Sequence, residues 1–246
     1  MALGPSIEES PKTESIQENW PPALQVPLAK GLIWSCLIIL EGMIVWRLVS
    51  PPRGFVNALM QGMHLLLVLF VLVQFGRFEL KKMVSYAIPP KRVFFFWIYA
   101  GIGLTAYYLP LNFWEGLGAQ PPDFVFQYLY LFIGGVILAP IEEELLYRGL
   151  LYGTIRTKYG KFKAYVISIS IFVFRHKRLW PYIIEGYWDL FLLHLITLTV
   201  LAYFLTYLYE SKRSLLLCMA FHSSANINVT ITPLLGFLYG GYIVGK

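Results

Sequence analysis

Charged residues are scarce in this sequence. Asp, Glu, Lys and Arg make up 14% of the 246 residues, whereas a soluble globular domain carries about 25%. This scarcity argues against a soluble domain. Hydrophobic residues reach 57% and recur in runs close to the roughly 20 residues that a helix needs to span a bilayer. The composition therefore predicts an all-α, polytopic transmembrane helical bundle, an integral multi-pass protein embedded in the lipid bilayer.

Cysteine is rare, with two residues in the chain. The amino-terminal residues also lack the pattern of a cleavable signal peptide. Cys36 and Cys218 both lie inside apolar runs, so the sequence supports neither a disulfide framework nor a cysteine-based metal site. Residues 1–22 are polar, without an apolar core, and are predicted to form a flexible tail. The net charge of +6 requires no nucleic-acid partner, because Lys and Arg gather in the cytoplasmic loops of membrane proteins.

Apolar runs predict about seven spans. In chain order they cover about 24–49, 55–75, 92–113, 124–159, a fifth run that ends near Phe174, 189–209 and 214–242. Lys and Arg are denser around 77–92, 156–163 and 210–213, which places these loops and the amino terminus on the inside. The chain divides into the tail, N-terminal transmembrane helices at residues 23–123, and a second transmembrane domain at residues 124–246.

Three consecutive carboxylates interrupt the fourth span. Glu142, Glu143 and Glu144 stand between two apolar runs, and a charge at membrane depth costs about 2.5–3.5 kcal/mol on insertion scales. Such residues usually serve a function. Glu144 and Arg148 are four residues apart, so an intrahelical ion pair is available. Glu143 is turned by about 100° from Glu144 on a regular helix, which leaves it free to face another partner.

The helical rise predicts which polar residues meet. Glu143 and His176 lie at similar distances along the chain from the turn near 157–161, so both sit roughly 21–23 Å from it. On the seventh span, His222 and Asn226 project from one helix face and lie roughly 12 and 18 Å from the same side. A polar site buried between the fourth, fifth and seventh helices is therefore expected.

The residue types at this site suit hydrolysis. A carboxylate beside an imidazole activates water as a general base, and a second histidine with an asparagine amide can donate hydrogen bonds to an oxyanion. From spacing alone, transport or a purely structural polar network are equally open. The lack of inverted repeats argues against a transporter.

Three motifs carry a family resemblance. Glu143 to Arg148 reads EExxxR, Phe172 to His176 reads FxxxH, and His222 to Asn226 reads HxxxN. In this order, on successive helices, they resemble the motifs of the CPBP intramembrane proteases. That family includes CAAX prenyl proteases and bacteriocin-processing or self-immunity (Abi-like) proteins. The resemblance covers roughly residues 124–230 and marks residues 124–246 as a CPBP-like catalytic domain.

The resemblance implies residue roles. Water would be activated by Glu143 and His176, and the oxyanion hole would be formed by His222 and Asn226. Support for the site would come from Glu144, Arg148 and Phe172. The glutamate mechanism requires no cofactor. A divalent metal such as zinc is an alternative, with Glu143, His176 and His222 as ligands, although HExxH is absent.

The expected activity is that of an intramembrane endopeptidase. It would hydrolyse a peptide bond near the membrane in a membrane-associated protein or peptide, as CAAX processing does. The alternative is a non-catalytic CPBP-fold membrane protein, for self-immunity or as a scaffold. The expected location is a bacterial cell membrane, or the endoplasmic reticulum membrane in a eukaryote. Glu142, a third carboxylate before the motif, is left without a role.

Overall fold

The computed structural model describes residues 28–48, 54–75, 89–116, 129–176 and 179–244. Within these ranges every regular element is a helix, so the all-α prediction is confirmed. The elements are α1 Leu28–Leu48, α2 Gly54–Phe75, α3 Pro90–Gly116, the π-helix π1 Phe132–Leu138, α4 Ala139–Glu144, the π-helix π2 Leu145–Tyr152, α5 Gly153–Arg175, α6 Leu179–Ile184, α7 Trp188–Lys212 and α8 Leu215–Val244.

The long helices begin and end within a few residues of the predicted spans. The short helix α6 was not predicted, because six residues are too few for a periodic apolar pattern. The predicted tail at residues 1–22 and the division at residue 123 lie outside the described residues. Both therefore stay predictions.

One described helix, α7, is long and apolar enough to cross a membrane. Ala29–Leu40 and Ala58–Gln74 are shorter apolar helical stretches. Large hydrophobic side chains on α7 point outward, among them Leu193 at 62% exposure and Val200 at 61%. A contiguous apolar surface of this kind is costly in water and suits lipid. The number of spans, seven in the prediction, is not established by these helices.

Pro140 does not end the helical path through the glutamates. It lies in the first turn of α4, where the missing N–H group of proline is tolerated. The π-helical segments π1 and π2 flank α4 on either side. Such segments often occur at functional sites. The chain stays helical from π1 to Gly160, which has φ 83° and ψ 174°. Glycine tolerates this conformation, and it divides α5 at the predicted turn.

The core surrounds π2. All eight of its residues are buried, and it contacts α1, α4, α5 and α8. A helical segment that is buried on every side belongs to the centre of a bundle. Helix α8 packs along α3, where Trp97 Nε1 donates to Ser223 Oγ at 3.1 Å. These contacts bring α4, the end of α5 and α8 together around the charged residues.

Candidate active site

Glu144 is the centre of the polar cluster. Its Oε1 atom lies 2.9 Å from Arg148 Nη1 and 2.8 Å from His222 Nδ1. All three side chains are buried. Arg148 also donates from Nη2 to the carbonyl oxygen of Ala202 at 3.2 Å, which joins π2 to α7. A buried carboxylate is tolerated when charged and hydrogen-bonded partners surround it, and Glu144 has both.

The hydrogen bond to Glu144 sets the orientation of the His222 ring. Because a carboxylate accepts, Nδ1 of His222 carries a proton. The other ring nitrogen, Nε2, faces Glu143, with 3.7 Å between Nε2 and Oε2 of Glu143. Nε2 is a donor only when the ring carries both protons. Two neighbouring glutamates thus approach the two nitrogens of one imidazole.

His176 ends α5. Its backbone leaves the helix with φ −68° and ψ 104°. Nδ1 donates to the carbonyl oxygen of Phe172 at 2.7 Å, so in the neutral ring Nε2 keeps a lone pair. The described residues include no hydrogen bond or ion pair between His176 and Glu143. The joint activation of water by these two residues therefore stays a prediction.

Phe172 is the apolar contact among the site residues. Its ring lies 4.6 Å from the His176 ring and 5.9 Å from the His222 ring, measured between centroids. The guanidinium of Arg148 sits 4.7 Å above its centroid, a distance typical of a cation–π contact. Tyr147 meets it edge-on at 5.1 Å. One buried ring therefore holds side chains from π2, α5 and α8 in place.

Asn226 makes its described hydrogen bond outside the Glu144 cluster. Its Nδ2 atom donates to the carbonyl oxygen of Gly135 at 2.8 Å, which links α8 to π1. The amide nitrogen has a second hydrogen. The oxyanion role of Asn226 stays a prediction, and its described bond is to the backbone of π1.

An ion pair that we did not predict joins α4 to α5. Glu142 Oε1 lies 3.3 Å from Arg175 Nη1, and the same Nη1 atom donates to the Tyr147 hydroxyl at 3.3 Å. Glu142 is completely buried. The sequence held a signal for this pair, because Glu142 is an extra carboxylate and Arg175 is a cation directly after the fifth apolar run.

Comparison with known families identifies the region that carries these residues. Residues 125–228 match the family model for Rce1-like proteins, type II CAAX prenyl endopeptidases. This region is similar to that family, and we call it the Rce1-like domain below. The match agrees with the CPBP resemblance, and all three motifs lie inside it. No curated protein and no solved structure matches the chain. The Rce1-like family is membrane-embedded and points to protease activity.

The metal alternative places a divalent ion between Glu143, His176 and His222. In the described part of the chain, no three His, Cys, Asp or Glu side chains converge as a metal site requires. Glu142 and Glu144 already have arginine partners. Ligation of a metal by Glu143, His176 and His222 therefore stays a prediction.

An apolar groove borders the Rce1-like site. Its volume is about 520 Å³, and it is lined by α2, α3, π1, α4 and α8 together with Leu145 of π2. Ile141 and Leu145, which flank the three glutamates, line it, as does Ser223, the neighbour of His222. The volume lies within the range of about 300–1,000 Å³ that ligand sites occupy. The groove thus lies against α4, π2 and α8, three of the elements that carry the site residues.

Replacement of Arg148 in the Rce1-like domain tests the buried cluster. Arg148→Leu should lower the free energy of unfolding by about 3–5 kcal/mol, because it leaves the buried Glu144 without its cation. Arg156→Leu is the control, since Arg156 pairs with Glu210 at 3.1 Å but is 24% exposed; it should cost about 1 kcal/mol or less. Denaturant titration of the bicelle-reconstituted protein measures both. Equal losses would contradict the central role of Glu144.

Proposed function

We propose that this protein is an intramembrane endopeptidase. It hydrolyses a peptide bond near the membrane surface in a membrane-associated protein or peptide, as CAAX processing does. The observation that carries the proposal is the buried cluster in the Rce1-like domain, where Glu143 and Glu144 both approach the ring of His222. The rings of His176 and His222 both contact the ring of Phe172.

The proposed reaction begins with water. Glu143 Oε2 is buried and has no hydrogen-bond partner among the described residues, so it is available to accept a proton. The carboxylate of Glu143 removes one proton from water. Nε2 of His176 accepts a hydrogen bond from the other hydrogen of the same water. The water oxygen bonds to the carbonyl carbon of the substrate, and the carbonyl oxygen becomes an oxyanion.

The oxyanion is stabilised by two donors on α8. They are an Nε2–H group of His222 and the second N–H group of Asn226. When the tetrahedral intermediate collapses, its C–N bond breaks and the leaving amine takes the proton that Glu143 accepted. Glu144 holds Nδ1 of His222 at 2.8 Å, which fixes the ring orientation as the aspartate does in a Ser-His-Asp triad. Arg148 balances the charge of Glu144.

The apolar groove supports a substrate with an apolar part. Its walls include few polar side chains, and two of the lining residues, Ile141 and Ser223, are sequence neighbours of Glu142 and His222. We propose that an apolar chain or segment of the substrate lies there. The scissile bond is then delivered to Glu143 while binding relies on apolar burial.

Seven spans remain part of the proposal. The Rce1-like family is membrane-embedded, and exposed hydrophobic side chains lie along α1, α2, α5 and α7. The amino terminus and the turn at Gly160 would lie inside. The membrane itself, bacterial or endoplasmic reticulum, is not specified by these features and stays a prediction.

Cysteine labelling tests this topology. Cys36 and Cys218 are first replaced by alanine, and a single cysteine is placed at Lys161 or Glu185. We expect a membrane-impermeant maleimide to label these two positions from opposite sides of sealed vesicles, because the part of α5 after Gly160 lies between them. Labelling of both from one side would contradict a membrane-spanning α5.

The catalytic proposal is tested by removing the base. Glu143→Ala and His176→Ala should each lower the cleavage rate by about 10²–10⁴-fold, the usual contribution of a general base. Membrane proteomes of a deletion strain and a Glu143→Ala strain should lack the same product peptides, and these identify the substrate. Wild-type cleavage by both stably expressed variants would refute the proposal. A deletion phenotype restored by Glu143→Ala would indicate a non-catalytic membrane protein instead.

Filling the groove tests its role in substrate binding. Ile137→Trp places an indole on the groove wall and should raise the KM for a farnesylated CAAX peptide by about 10-fold or more, with kcat unchanged. Ile167→Trp is the matched control. Ile167 is 38% exposed, close to the 43% of Ile137, but lies outside the groove. An equal rise in KM for the control would exclude the groove as the binding site.

A further inference from the structure

The Glu142–Arg175 ion pair lies outside the residues that the proposed reaction uses. Glu142 stands before the EExxxR motif, and Arg175 occupies a variable position of FxxxH. We propose that this pair positions His176 for the hydrolysis, an inference that rests on the proposed function. Glu142 and Arg175 are positioning residues in this view, since neither is placed against the substrate.

The location of Arg175 explains how it would act. Arg175 is the last residue of α5, and His176 directly follows with an extended backbone. Helix ends fray unless something holds them. The guanidinium of Arg175 is held by Glu142 of α4 and by the Tyr147 hydroxyl of π2. The end of α5 is therefore attached to the helical path that carries Glu143.

A second set of contacts depends on the same attachment. The Tyr147 ring lies 5.7 Å from the Arg175 guanidinium and 5.1 Å from the Phe172 ring. Phe172 in turn accepts the Nδ1–H of His176 on its carbonyl oxygen. Releasing Arg175 would loosen the last turn of α5, and this hydrogen bond belongs to that turn. Nε2 of His176 would then lose its fixed direction.

A gain in stability does not by itself explain why an ion pair is buried at this position. Burial of two charges costs desolvation, and an apolar pair of similar volume often holds two helices equally well. A hydrogen-bonded ion pair also fixes direction, because the guanidinium group donates hydrogen bonds only in its own plane. The Glu142 carboxylate, fully buried and adjacent to Glu143, thus relates the base on α4 to the imidazole at the end of α5.

Histidine NMR tests the positioning without relying on activity. The chain has four histidines, and His176→Gln assigns the His176 signal in the ¹⁵N-histidine spectrum of the full-length protein in nanodiscs. We expect one sharp Nδ1–H tautomer for His176 in the wild type. Glu142→Gln, Arg175→Gln and the double variant should each broaden or shift it toward a mixture of tautomers, while the His194 signal stays unchanged.

The control is the second Arg–Glu pair. Arg156→Gln breaks the contact with Glu210, which lies away from His176, and should leave the His176 signal unchanged. An unchanged His176 signal in all three variants of the Glu142–Arg175 pair would overturn the proposal. An equal change in Arg156→Gln would overturn it as well, because the effect would then be general.

Kinetics separate positioning from stability. With a farnesylated CAAX peptide, both single variants should lower kcat by up to about 100-fold, the cost of a misplaced catalytic group, with KM nearly unchanged. The double variant should regain the wild-type melting temperature, since no unpaired charge remains, yet keep the low kcat. If the double variant recovered both the melting temperature and kcat, the ion pair would have a structural role only, and the proposal would be overturned. If the wild type does not cleave this peptide, the proposed function fails on this substrate, whereas the NMR experiment still tests the positioning of His176. The two failures are therefore distinguishable.

Discussion

The polar interior of this protein depends on the carboxylate of Glu144. One oxygen accepts from Arg148 on the same helical path and from His222 on α8, while Arg148 reaches the backbone of α7. Glu144 of α4 thus contacts π2 and α8 directly and is joined to α7 through Arg148. Such a group is stable only while its partners remain, since an uncompensated buried charge costs several kcal/mol. The arrangement therefore specifies where α8 lies against π2, and with it the direction of the His222 ring.

The helix that supplies the glutamates is irregular where the site is built. Pro140 stands in the first turn of α4, with π-helical turns before and after it. A π-helical turn holds more residues than an α-helical one, so it changes the direction in which later side chains point. Gly135 of π1 accepts from Asn226, and Tyr147 of π2 accepts from Arg175. The irregular turns are thus attached to α8 and α5 by side-chain hydrogen bonds.

Much of the site was predictable because its determinants are local. The pairing of Glu144 with Arg148 follows from a spacing of four residues, and the helix limits follow from the apolar runs. The rise per residue placed Glu143 and His176 at one level, but it did not predict how each helix is rotated about its own axis. In the structure the described partner of Glu143 is His222, at 3.7 Å. Rotation about the helix axis was not predictable, since it changes at each π-helical turn.

The sequence by itself determined that the described residues are helical, the order and approximate limits of the long helices, a turn near 157–161 and the three motifs that resemble the CPBP family. These depend on composition, short spacings and backbone preferences, which act over a few residues. Only the tertiary structure decided that Glu142 pairs with Arg175, 33 positions away, and that Asn226 bonds to Gly135, 91 positions away. Such pairs depend on how packed helices are rotated against one another, and that rotation is set by the whole core around π2.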